Sequence, residues 1–161
     1  MSSTNWGCTL PEPSEPQGRT PAANAANATA RAAAAPSSPA DLAAILGYAR
    51  RIAEVAADKL AEDIVILDMT GVSSFTDYFI ICSGRNSRQT KGIYEEIYHR
   101  LKQESRLTPR AIAGEREAEW IVVDYVDIIV HIFTPELRAF YRLEDLWDDV
   151  PRVALDAAAT G

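Results

Sequence analysis

Trp120-Ile-Val-Val-Asp-Tyr-Val-Asp-Ile-Ile-Val-His-Ile-Phe133 is the run whose reading decides the fold of this chain. A period-2 pattern continues on both sides of a polar break, which makes the run two short strands around a tight turn. With Tyr125 and Val126 as the loop, the register sets Asp124 opposite Asp127, Val122 opposite Ile129 and Trp120 opposite His131. One face of the hairpin is then wholly aliphatic and carries Ile121, Val123, Ile128, Val130 and Ile132. The other mixes Trp120, Val122, Asp124, Asp127, Ile129, His131 and Phe133. A sheet that buries one face needs only the aliphatic set. The mixed face is therefore the candidate functional surface.

Working outward, Pro39 and Asp41 open an amphipathic helix that runs to about Asp58, with Asp41 as its cap. Leu42, Ile45, Leu46, Ala49, Ile52, Ala53 and Ala56 share its core face. Ile64 to Leu67 has the continuous apolar character of a central strand buried on both sides. Gly71, Ser73 and Ser74 mark a turn, Tyr78 to Cys82 a second strand, and Ser83-Gly84 a break. A second helix spans about Ser87 to Glu104, with Ile93, Ile97 and Leu101 as its stripe. Pro109 to Gly114 holds a short edge strand, and helical turns at Pro135–Tyr141 and Leu143–Trp147 follow the hairpin.

Residues 1–39 have a separate composition. Six of the nine prolines fall there, around an alanine-rich stretch with almost no large aliphatics. Such a segment cannot offset its ordering entropy and is expected to be disordered. The folded domain is expected over 40–151, with 152–161 a flexible C-terminal tail. Two cysteines, Cys8 in the tail and Cys82 in a strand, make poor disulfide partners and fit a reducing cytoplasm. No stretch is long and apolar enough to span a membrane. The formal charge of −7 argues against strong direct nucleic-acid binding, which needs a basic footprint.

Four segments, agreeing in order and spacing between about Leu42 and Pro151, carry a resemblance. They are Lys59-Leu-Ala-Glu-Asp-Ile-Val-Ile-Leu-Asp68, Ser73-Ser-Phe-Thr-Asp-Tyr-Phe-Ile-Ile-Cys-Ser-Gly84, the hairpin, and Arg138-Ala-Phe-Tyr-Arg-Leu-Glu-Asp-Leu-Trp147. Together they resemble the Iojap family of ribosomal silencing factors. The resemblance implies an α/β (α+β) fold: a small mixed sheet with flanking helices, nucleotidyltransferase-like but without the catalytic acids. It also implies binding to protein fourteen of the large ribosomal subunit and a block on joining of the small subunit. The family pattern places Gly in the hairpin turn where this chain has Val126, a β-branched residue that resists positive φ.

The residues themselves support no enzyme. Nucleotidyl transfer needs carboxylates converging on metal ions beside a phosphate-binding turn. Ser83-Gly84 with Arg85, Arg88 and Lys91 offers an anion-binding turn of low specificity. Glu115, Glu117 and Glu119 read as a solvated loop, and Asp124 and Asp127 as turn residues. His99 and His131 lack partners at ligand spacing, so neither a metal nor a cofactor is expected. The expected partner-binding residues are Trp120, Asp124, Tyr125, Asp127, His131, Phe133, Phe140 and Tyr141, because aromatics and charges beside aliphatic surface make interface hot spots. The competing structural reading folds the helical turns after Phe133 back over this face. The first functional expectation is a non-enzymatic repressor on the large subunit. A nucleotide-handling enzyme and a large-subunit assembly helper are the alternatives, and a homodimer through an edge strand or the hairpin face is compatible with the sequence.

Overall fold

The structure, a computed structural model, describes residues 38–155, so the expected N-terminal tail and residues 156–161 lie outside the described residues. Helix α1 (Pro39–Asp58) is capped three residues earlier than the sequence suggests: Ser38, not Asp41, is the N-cap. The Ser38 hydroxyl accepts from the Asp41 N–H at 3.1 Å, and Asp41 accepts from the Ser38 N–H at 3.1 Å. This reciprocal capping box, with Pro39 in the first turn, satisfies two amide donors that a helix start leaves unpaired.

Strand β1 (Glu62–Asp68) pairs antiparallel with β2 (Tyr78–Ser83), and helix α2 (Ser87–Ser105) follows. Then come β3 (Ala111–Ala113), β4 (Trp120–Asp124), β5 (Ile128–Phe133), the short helices α3 (Pro135–Tyr141) and α4 (Leu143–Leu146), and β6 (Arg152–Val153). The six strands lie in the order β3-β4-β5-β2-β1-β6. β2 and β5 run parallel at the centre, and every residue of both is buried. The parallel step needs a crossover, which α2 supplies. Its entry is tight: a Cβ on Gly84 would lie 2.8 Å from the Thr90 backbone nitrogen.

Alternation divides the sheet into two faces. Ile66, Ile80, Cys82, Ile121, Val123, Val130 and Ile132 lie under α1 and α2. Leu67, Phe79, Ile81, Ile129 and Phe133 point the other way, against Trp120, Leu137, Leu143 and Trp147. Both sets follow the expected alternation, but the hairpin register does not. Trp120 pairs with Phe133, Val122 with His131 and Asp124 with Ile129. The turn sits one residue later than expected, at Val126–Asp127, closed by Tyr125 N–H to Ile128 O at 2.8 Å. Moving a turn by one residue moves every cross-strand partner by two, so the face assignment survives while the expected Asp124–Asp127 and Trp120–His131 pairs do not.

Two further expectations are corrected. β1 is not central; it is next to the edge, and only Ile66 and Leu67 of its residues are buried. The C-terminal boundary at 151 is too early, since Arg152 and Val153 pair with Leu67 and Ile66, and Leu155 packs on the core.

Candidate functional site: an aromatic platform and a pinned turn

The eight residues expected at the site fall at opposite ends of the hairpin. Trp120, His131, Phe133, Phe140 and Tyr141 gather where β5 ends. Asp124, Tyr125 and Asp127 lie at the turn, about 13 Å away along the strand at 3.3 Å per residue.

At the first end, Phe133 is fully buried and stacks under Trp120, with ring centroids 4.9 Å apart. Tyr141 covers Trp120 from the helix side at 4.6 Å, and Phe140 meets Tyr141 edge-on at 5.0 Å. The Trp120 indole N–H donates to His131 Nδ1 at 3.2 Å, a diagonal contact across the strands. That bond places the imidazole proton on Nε2, which finds no acceptor among the described residues. Apolar surroundings push the His131 pKa down to about 3, so the ring is neutral at physiological pH. His131 and Phe133 are thus supports, closed to a partner. What faces solvent is half-buried Trp120, Tyr141, and above all Phe140, 75% exposed. Leu146 on α4, 69% exposed, was not among the expected residues.

The elbow that presents these groups has little core of its own: neither α3 nor α4 contains a fully buried residue. It is fastened by Arg138, whose guanidinium donates to Glu144 at 2.8 Å and to the Ser83 hydroxyl at 2.8 Å. Arg142, at φ 46°, makes the bend between the two helices. The six-residue Arg138–Glu144 spacing follows no helical period, so this clamp leaves no local sign in the sequence. The competing reading holds in part: Leu137, Leu143 and Trp147 fold back over the mixed face and leave the platform at its margin.

At the second end the aspartates are pinned. Asp124 is 4% exposed, accepts from the Val126 N–H at 2.7 Å, and pairs with Arg110 at 2.7 Å. The Asp127 carbonyl accepts from the Asp77 N–H, the Tyr78 N–H and the Thr76 hydroxyl. Asp127 N–H donates to Tyr125 O at 2.9 Å, making a three-residue turn around Val126 with φ 75°. Tyr125 is buried and holds no surface for a partner. Only Val126 presents exposed apolar surface here. Asp124 and Tyr125 therefore shape the turn and do not offer contacts.

The enzymatic alternative gains nothing from this geometry. Glu115, Glu117 and Glu119 are exposed along a loop, while Asp124 is committed to Arg110. Ser83 is taken by Arg138, and the first turn of α2 is capped by the Asn86 side chain accepting from the Gln89 N–H at 2.9 Å. Burial pushes the Cys82 thiol up to about 12, which leaves it unreactive. Among the described residues, no three His, Cys, Asp or Glu side chains gather as metal ligands, and no helix is long and apolar enough to cross a membrane.

Comparison with known proteins agrees with this architecture. The ribosomal silencing factor of Bacillus subtilis is 42% identical over 99 residues, covering 62% of this chain and 83% of that protein. The mouse protein named mitochondrial assembly of ribosomal large subunit protein 1 is 30% identical over 92 residues, 54% of this chain and 39% of its own. A crystal structure from Chromobacterium violaceum superposes with a TM-score of 0.62 at 28% identity, covering 72% of this chain and 97% of that one. Residues 43–160 match the family described as ribosomal silencing factor during starvation, and the chain belongs to that family.

Proposed function

We propose that this protein docks on the large ribosomal subunit, through its protein fourteen, and blocks joining of the small subunit by occupancy and without catalysis. The observation that carries the reading is the platform of Trp120, Phe140 and Tyr141, with Leu146 exposed on the next short helix. It places large apolar groups in solvent on a face whose core is already filled by other residues. Exposed apolar clusters of this kind mark protein contacts, and aromatic side chains dominate their energetics. A cytoplasmic protein of net charge −7 has the sign to meet a basic ribosomal protein. The mouse relative's name favours a second reading, in which the same docking assists large-subunit assembly.

The test is a titration into separated subunits under joining conditions, following the joined particle. Occupancy predicts inhibition that is stoichiometric with large subunits and does not grow with incubation. Substoichiometric, time-dependent loss of joining, or a requirement for added nucleotide, contradicts it.

A further inference from the structure

We propose that the groove between the α1–β1 turn and the first turns of α2 binds an RNA phosphate backbone, as a second contact at the same end of the sheet as the platform. The inference rests on the ribosomal docking proposed above and adds to it a nucleic-acid site.

The groove has a volume of about 590 Å³, and its lining includes Asp58, Lys59, Leu60, Arg85, Arg88 and Gly92. Its two walls are tied together by the Gln89 amide, which donates to the Lys59 carbonyl at 3.1 Å and the Leu60 carbonyl at 3.0 Å. The cations therefore stand on a fixed frame. Arg51, Arg100, Arg110, Arg138 and Arg142 each pair with a carboxylate. Lys59, Arg85 and Arg88 take part in no ion pair among the described residues, and Asp58 is engaged by Arg100 at 3.4 Å. A second hollow of about 470 Å³ is different, because it sets Arg138 and Arg142 against Glu144 and Asp145. Three cations without an ion pair among the described residues, Lys59, Arg85 and Arg88, are thus brought together on one groove of an acidic protein.

The amide groups at the start of α2 are not the binding element. The Asn86 side chain caps the Gln89 N–H, and Gln89 in turn accepts from the Arg85 N–H at 2.8 Å. The site is made by side-chain cations reaching from two walls. With no aromatic ring on the lining, nothing stacks a base. Recognition is then of phosphate, independent of sequence. An open trough with cations on both sides suits a passing strand, and a ribosomal particle presents much of its surface as RNA phosphate. The location fits a combined contact: Gly84, the residue before Arg85, donates its N–H to the carbonyl of Phe133, the ring beneath Trp120.

Three cations imply a modest dependence of binding on salt, with a log–log slope of about −2 to −3. The experiment measures affinity for purified large subunits across salt concentrations, comparing the intact chain with the Arg85→Gln/Arg88→Gln double variant. Arg106→Gln, an exposed cation outside the groove, is the control for net charge. The double variant is expected to lower the slope's magnitude by roughly 1.5 to 2 while melting as the parent does. An unchanged slope, or an equal change in Arg106→Gln, overturns the proposal. Micromolar stabilisation by a nucleoside triphosphate, lost in the double variant, would assign the groove to free nucleotide and also overturn it. Absence of any binding to large subunits defeats the docking reading. The groove is then judged on a short single-stranded RNA: binding that the double variant loses upholds it, and no binding overturns it.

Discussion

The two faces of the sheet are built from the same alternation but end in different states. One lies under helices of 20 and 19 residues, which bury Ile45, Ile52, Ile93, Ile97 and Leu101 against it. The other is closed by helices of 7 and 4 residues with no fully buried position. Helices that short are not stable alone and stay where packing and the Arg138 clamp hold them. The long-helix face is committed to folding. The short-helix face leaves Phe140 and Leu146 in water, where burial by a partner would be favourable.

The contrast is broken most severely by placing a charge on the committed face. Ile121→Asp or Val130→Asp buries an unpaired carboxylate at a position with no exposure. The expected loss exceeds about 4 kcal/mol, and circular dichroism should show an unfolded chain. Next is the pinned turn. Asp124→Ala strips acceptors from the Val126 N–H and the Arg110 guanidinium, and should cost roughly 2 to 3 kcal/mol in a denaturant titration. A variant as stable as the parent would make Asp124 a surface contact, as its sequence position suggests.

His131 sharpens the comparison through pH. Its folded pKa, about 3, lies below the ordinary 6.5, so folding favours the neutral ring. That stability is complete above pH 6.5 and is lost as pH falls toward 3, by about 1.4 kcal/mol per unit. His131→Phe should flatten melting temperature against pH between 6.5 and 4 relative to the parent. Parallel pH profiles would show that carboxylates alone set the acid limb. Smaller still is Val126→Gly. Relieving positive φ at a β-branched residue should raise stability by about 1 kcal/mol, visible as a higher melting temperature. A fall would show that the isopropyl group packs more than its backbone strains.

The two faces were legible in the sequence because a strand's side-chain period is 2 and both strands keep it. The register was not, since a slip by two residues preserves every face and so leaves no trace in the pattern. Nor was the turn. Val126 holds a conformation that local preference opposes, because Asp124 grips its N–H and three donors from residues 76–78 hold the Asp127 carbonyl. The residue types at the site were readable, but their accessibility was not. Asp124 is closed off by Arg110, fourteen positions away, and His131 by rings from β2, β4 and β5. Phe140 and Tyr141, on a helix too short to bury them, stay open to a partner, with half-buried Trp120 beside them.

The most direct test of docking through the short-helix face compares the intact chain with Phe140→Ala/Leu146→Ala for affinity to purified large ribosomal subunits, with melting curves beside each. Both side chains are exposed, so melting should be unchanged. If they anchor the contact, the dissociation constant should rise at least tenfold, about 1.4 kcal/mol. Unchanged affinity in a normally melting variant would contradict the platform as the docking surface.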